Sequence, residues 1–392
     1  MTLMKSRICY FLMMVFTIIL LESTFFVVYS VEKNVEQKIE AIMAEHDAIG
    51  MAVVVVRDTS IIYSHAFGYN PDYQYPELRT PIPEDGVFWI ASVSKTIISA
   101  TIMSLVERGE ISLDDDINKY LGFPITNPYY PETPITIRML LCHRSSLNDS
   151  QGGRQLDQLQ VSNKDYIKNF KKHKPGARYE YCNLGYNLLG AIIENVTNER
   201  FDRYIERAII HPLDIEGTFD LTRVNQEKLV RSYNYDKKKR RYVGSPSVYD
   251  YSSAKKALEN YSLGLSTGRL SPAGGMKMRA SDLACFMMML MNGGELNGVR
   301  ILKKESIEEM CTPQGENKSY GLAMTTYGSI VKGHPLTGMR GGSHGIHSIM
   351  VYDQENKIGF VIINNGYNTD AKNGADLNYR IIRLLYKYFV SH

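Results

Sequence analysis

Ser92 and Lys95 stand three residues apart in Ser92-Val93-Ser94-Lys95, where the apolar run Val87-Phe88-Trp89-Ile90 gives way to a helical stretch from Thr96 to Arg108. Three residues is nearly one helical turn, so the two side chains share a face. A serine in the first turn also carries one of the helix's unpaired N–H donors. A hydroxyl nucleophile, an amine that can take its proton and an N–H that can hold an oxyanion thus fall within one turn. That is the minimum set for acyl transfer. S-x-x-K also occurs by chance, and a serine at a helix start is ordinarily a cap. The strand-to-helix context is what favours chemistry.

A second element lies 86 residues on from Lys95. Tyr181-Cys182-Asn183 follows the turn Lys174-Pro175-Gly176-Ala177 and precedes a helix beginning near Leu184. A tyrosine and an asparagine two apart in a loop can point the same way. The phenol could relay a proton, and the amide could hold both a substrate carbonyl and a lysine amine. Taken alone, Asn183 would serve equally well as an N-cap.

The elements around these residues follow from patterning. Val35, Ile39, Ile42 and Met43 recur at helix spacing. Met51 to Arg57 and Ile61 to Phe67 are β-branched and apolar, with Asp58-Thr59-Ser60 as a hairpin turn. The nucleophile helix ends at Gly109, a C-cap, and Ser112 to Asp116 is expected to start another short helix. Between about 120 and 260, helical runs (Ile135 to Cys142, Leu184 to Val196, Phe201 to Ile210) are separated by Pro, Gly and Asn. Further on, Asp282 to Met291, Lys303 to Met310 and Leu377 to Phe389 read as helices. Tyr320 to Tyr327, Ser348 to Tyr352 and Gly359 to Ile363 read as strands. Strands near both ends with helices between predict one sheet built from both termini and a helical insert.

Composition narrows the function classes. The 392 residues are 44% hydrophobic and 22% charged with a net charge of +3, which is globular and too nearly neutral to argue for nucleic acid. The basic run Lys237 to Arg241, flanked by Tyr233, Tyr235 and Tyr242, reads as a solvated hairpin tip. At the start, Lys5 and Arg7 precede an apolar run from Ile8 to Leu21, and Val28-Tyr29-Ser30 offers small residues for cleavage. Residues 1–30 therefore read as a secretory signal peptide, or, with Phe25 to Val31 extending the run past Glu22, as an uncleaved membrane anchor. The expectation is an exported protein on the periplasmic or extracellular side. Such a compartment permits disulfides, but four cysteines in so long a chain (Cys142, Cys182, Cys285, Cys311) are expected as buried free thiols.

Together the two chemical elements resemble the serine β-lactamase and penicillin-binding-protein superfamily, and within it the class C β-lactamase-related branch. Phe88 to Lys95 looks like the nucleophile segment. Leu105-Val106-Glu107-Arg108-Gly109 and Leu113-Asp114-Asp115 look like the family stretch on its C-terminal side. Ile135 to His143 resembles a helix-and-turn segment, and Pro175-Gly176 with Tyr181 to Tyr186 the tyrosine loop. Ser271 to Gly275 and Ser281-Asp282-Leu283 match a later stretch. The resemblance implies an α+β, β-lactamase/transpeptidase-like fold: an antiparallel sheet flanked by helices with a mostly helical second lobe. Its α/β lobe would take about 31–120 and 261–392, and its helical lobe about 121–260.

By the same resemblance Ser92 is the nucleophile, and Lys95 and Tyr181 are its base pair. Asn183 orients substrate, and Gly341 and Gly342 bind it on the edge strand. The N–H groups of Ser92 and Gly342 would form the oxyanion hole. The family's third motif is a Lys or His, then Thr, then Gly. Here Gly338-Met339-Arg340-Gly341-Gly342 stands in that place. Met339 replaces the cation, and Arg340, one residue on, should face the other side of the strand. His344 and His347 are more often turn or strand residues than catalytic ones. No cofactor or metal is expected, since His344-x-x-His347 lacks a helical frame and a third ligand. The superfamily acts on β-lactams, D-alanyl peptides and esters. Without the cation the balance tilts to esters or D-amino-acid amides, with a small-molecule or peptidoglycan-type substrate as partner. A β-lactamase or D-alanyl-D-alanine carboxypeptidase, and a degenerate binding sensor without turnover, are the alternatives.

Overall fold

Val53-Val54-Val55-Val56 is buried on both faces, and that run is the middle of the molecule. The computed structural model describes residues 33–72, 77–151, 156–371 and 376–390. The expected export signal, residues 1–30, lies outside them. Seven strands form one antiparallel sheet in the order β5-β6-β7-β8-β1-β2-β3. They are β1 (Gly50–Arg57), β2 (Ser60–Pro71), β3 (Arg79–Pro81), β5 (Thr325–Val331), β6 (His334–Ser343), β7 (Ile346–Asp353) and β8 (Ile358–Asn364). A shorter strand, β4 (Val87–Trp89), pairs outside this sheet with Lys277–Arg279. β8 lies between β7 and β1, with Val54 opposite Val361, so the two ends of the chain complete one sheet.

Strand alternation sorts the side chains into two cores. Met51, Val53 and Val55 pack with helix α1 (33–45) and the C-terminal helix, Leu377–Val390. Ala52, Val54 and Val56 join a larger core that holds α2 (Ser94–Glu107), α3 (Ile137–Leu141), α4 (Asn183–Thr197) and α5 (Ala280–Met291); the C-terminal helix is α6. Each fully buried Val, Ile or Leu contributes about 1.5–3 kcal/mol from lost apolar surface. α2 is buried all round from Ser94 to Leu105, the pattern of a helix enclosed by other layers. The helix that follows Ser92 is therefore held from every side.

The hairpin tip at 237–240 sits between strands Tyr233–Asp236 and Arg241–Gly244, with its cations exposed. All four described cysteines are free thiols, Cys142 and Cys182 buried and the other two half-buried. Two expectations need correction. Ser112 to Asp116 itself forms turns, and the short helix it starts is only the single 3-10 turn Ile117–Lys119. There Asp114 and Asp115 pair with Arg138 and Lys119, and Asp116 caps the short turn Ile117–Lys119. The strand expected from Tyr320 begins only at Thr325, because Gly321 N–H bonds back to Met324 and Ala323 takes a left-handed φ of 62°. Among the described residues no helix is long and apolar enough to cross a membrane.

Candidate active site

The turn before α2 sets the position of Ser92. Ala91 has φ +47°, a left-handed conformation that costs an alanine about 1–2 kcal/mol. The turn Ala91–Val93 is a 3-10 turn leading into α2. Ser94 secures it: its Oγ donates to Ala91 O at 2.6 Å and accepts from Met276 N at 3.2 Å. Ser348 Oγ donates to Ile90 O at 2.6 Å from β7. So fixed, Ser92 is half-buried and lines a cleft of about 770 Å³.

Lys95, one turn along, is 0% exposed. Its Nζ lies 3.3 Å from Ser92 Oγ and 2.9 Å from Asn183 Oδ1, and also donates to Ala273 O. The Tyr181 and Tyr186 rings sit 4.8 and 5.3 Å from it. Burial pulls this ammonium down to about 7, against the opposing pull of Asp149 and the neighbouring Cys182. An amine near neutrality suits a general base. Two of its hydrogens can stay on Asn183 and Ala273 while the lone pair meets the serine hydroxyl.

Tyr181 closes the group, its hydroxyl donating to Ser92 Oγ at 2.6 Å. Desolvation raises its hydroxyl to about 12, and the Ser92 contact opposes the rise. The residue is 42% exposed at the cleft mouth, so solvent softens that shift, but its direction keeps the phenol protonated. Among the described residues, Lys95 and Tyr181 are the two side chains that meet Ser92 Oγ. The structure thus brings Ser92, Lys95, Tyr181 and Asn183 together.

Asp149 was not legible in the sequence. Its carboxylate accepts from the Asn183 and Leu184 N–H groups and from Asn183 Nδ2, each at 2.9 Å. It caps α4 from a distant loop, and Asn183 itself, the first residue of α4, does not act as the cap. With Nδ2 held by Asp149, the Asn183 amide must turn Oδ1 to Lys95. Asn187, one turn along α4, accepts from Ala273 N at 3.4 Å and so steadies the carbonyl that Lys95 uses.

The edge strand supplies the last parts. β5 pairs with β6 from His334 to Gly338, which leaves 339–343 as an open edge along the cleft. His344 and Gly345 both have positive φ (49° and 87°), as a two-residue I′ hairpin requires. The flanking pair Ser343–Ile346 then exchanges its hydrogen bonds, and alternation turns Gly341 and Met339 to β7 and the Gly342 N–H to the open edge. Gly341 lies flush against the Ser92 turn: a Cβ there would stand 2.7 Å from Ser92 N and from Ile90 O. The N–H groups of Ser92 and Gly342 can therefore converge on one oxyanion.

Met339 is buried at 4% exposure. Arg340 faces the opposite side of the sheet, as alternation requires, where it donates to Tyr379 Oη at 3.3 Å while still lining the cleft. His344 stacks on Trp89, and His347 packs against Tyr367; neither meets Ser92. No group of His, Cys, Asp and Glu among the described residues has the arrangement of a metal site.

The beta-lactamase family model matches residues 35–383. Protein flp of Staphylococcus aureus (strain MRSA252) is 27% identical over 193 residues, 47% of this chain and 38% of flp. The chain thus spans about two-fifths of the length of that relative. Two solved structures share the fold. EstCE1, a hydrolase with promiscuous acyltransferase activity, superposes with a TM-score of 0.69 at 20% identity over 91% of this chain and 99% of its own. The D-amino acid amidase from Ochrobactrum anthropi SV3, complexed with D-phenylalanine, does so at 0.66 and 22% over 92% and 100%.

Proposed function

The chain belongs to the beta-lactamase family of serine hydrolases, and from that premise we propose that it cleaves esters or D-amino-acid amides through a Ser92 acyl-enzyme. The observation that carries this reading is the serine hydroxyl held 2.6 Å from a protonated phenol and 3.3 Å from an amine near neutrality.

Lys95 takes the Ser92 proton as Oγ attacks the acyl carbonyl. The oxyanion forms between the Ser92 and Gly342 N–H groups. Tyr181 then gives its proton to the departing oxygen or nitrogen and is reprotonated from Lys95. Water attacks the acyl-enzyme with Lys95 as base, and Ser92 regains its proton. The electrostatics thus divide the pair: the lowered amine is the base and the raised phenol is the acid.

Met339 supports the choice of substrate, since a thioether cannot hold a free carboxylate. EstCE1 and the D-amino acid amidase, named for acyl transfer and for amide cleavage, favour the same chemistry. The Tyr181-x-Asn183 element favours the class C-related branch. The basic, apolar and small-residue order of 1–30 supports export, and with it a cell-wall-related substrate. A second reading, a β-lactam or a D-alanyl peptide with a free carboxylate, is favoured by one observation: Arg340 lines the cleft. One panel on the purified protein separates them. Short p-nitrophenyl esters and D-amino-acid amides are expected to turn over faster than nitrocefin or D-alanyl-D-alanine peptides, with every activity lost in Ser92→Ala. The reverse order favours the second reading. Equal hydrolysis by Ser92→Ala overturns the site.

A further inference from the structure

His143 takes no part in the steps above, yet it holds Tyr181 from three directions. It comes after α3 in a left-handed conformation with φ +57°, which His, Asn and Asp enter more readily than other non-glycine residues. Its main-chain carbonyl accepts from Glu180 N–H at 2.8 Å. Its Nδ1 accepts from Cys182 N–H at 3.2 Å. Glu180 and Cys182 are the two neighbours of Tyr181 in the chain. The imidazole itself lies against the Tyr181 ring, with centroids 4.3 Å apart.

The surroundings dictate the ring's state. His143 is 1% exposed, and Tyr179, Tyr186 and Tyr320 pack around it. A backbone amide can only donate, so Nδ1 carries no proton and the neutral ring bears its hydrogen on Nε2. Nε2 has no hydrogen-bond partner among the described residues. A second proton would have to sit on Nδ1, break the Cys182 bond and add a cation beside Lys95. Burial and Lys95 both oppose that, and they hold the imidazole well below its ordinary range.

We propose that His143 is a positioning residue for Tyr181: its carbonyl and Nδ1 fix the backbone on either side of the tyrosine, and its ring sets the tilt that delivers the phenol to Ser92. The inference rests on Ser92, Lys95 and Tyr181 as the acylating group. The bland alternative is that His143 only fills an aromatic core, in which case any ring of similar size would do.

Two variants divide these roles. H143F keeps a ring and loses the acceptor. H143N tolerates the left-handed backbone and offers Oδ1 in place of Nδ1. With p-nitrophenyl acetate, H143F is expected to lose on the order of 10²-fold in kcat, the cost of misplacing a catalytic group by about 1 Å, with KM little changed. H143N is expected to recover most of that loss. Amide hydrogen exchange over 179–183 is followed in the same proteins. Faster exchange is expected in H143F, and near-native protection in H143N. If H143F does not fold, H143M, which keeps volume without an acceptor, replaces it. Native kcat and exchange in H143F, or an H143N no better than H143F, overturns the proposal. The exchange result stands even if the wild type hydrolyses no ester, so a failed clamp and a failed functional reading remain distinguishable.

Discussion

Lys95 illustrates how one residue's burial becomes a rate. Its amine is drawn down to about 7 by desolvation, while Asp149 pulls the other way. A base acts only when deprotonated, so kcat/KM should rise with pH through about 7 and then level off. A profile flat from pH 5 to 9 would remove Lys95 as the base. Asp149→Asn takes away the carboxylate that favours the ammonium. The rising limb should therefore move to lower pH, and the loosened Asn183 should lower kcat. A pH–rate profile of that variant checks both, and a limb displaced upward contradicts the assignment. Ser92, Lys95 and Tyr181 were legible in sequence because their signals are local, a helical turn and a two-residue step. Asp149 was not, and His143 was legible only as the end of a family-like segment, because each acts on residues more than thirty positions away, and no spacing rule reports a bond made by folding.

At the scale of elements, the site depends on β6 lying flush against the turn that carries Ser92. Gly341 makes the approach possible. A methyl there would meet Ser92 N and Ile90 O at 2.7 Å and Ser348 Oγ at 2.6 Å, contacts that strand and turn can relieve only by parting. Gly341→Ala should therefore lower kcat by on the order of 10²-fold, as expected when oxyanion donors are displaced, with little change in the circular dichroism of the fold. Native kcat in this variant would show that the two N–H groups do not act as a pair. Strand alternation let the sequence predict that Met339 and Arg340 face opposite ways. It could not predict that Arg340 would still reach the cleft, because that depends on where β5 stops covering β6. The strand expected from Tyr320 starts five residues late for a related reason: Gly321 and Ala323 form a bend that apolar patterning does not reveal.

In the whole molecule, strands from early and late in the chain meet in one sheet, with β8 between β1 and β7. α1 and α6 cover the face opposite α2. Removing 377–392 would expose Met51, Val53, Val55, Ile349 and Val351 together, a patch that a soluble monomer does not tolerate. The shortened chain is expected to aggregate or bind a hydrophobic dye strongly on expression, and a soluble, native-like product would contradict the layering described. The middle of the chain contributes Tyr181 and Asn183, and the two ends contribute Ser92, Lys95, Gly341 and Gly342, so no fragment holds the complete group. The most direct measurement is peptide mapping by mass after exposure of the purified protein to diisopropyl fluorophosphate. One adduct per chain should appear on the peptide bearing Ser92, vanish in Ser92→Ala and form far more slowly in Lys95→Ala. An unmodified protein, or an adduct on any other residue, would contradict Ser92 as the nucleophile.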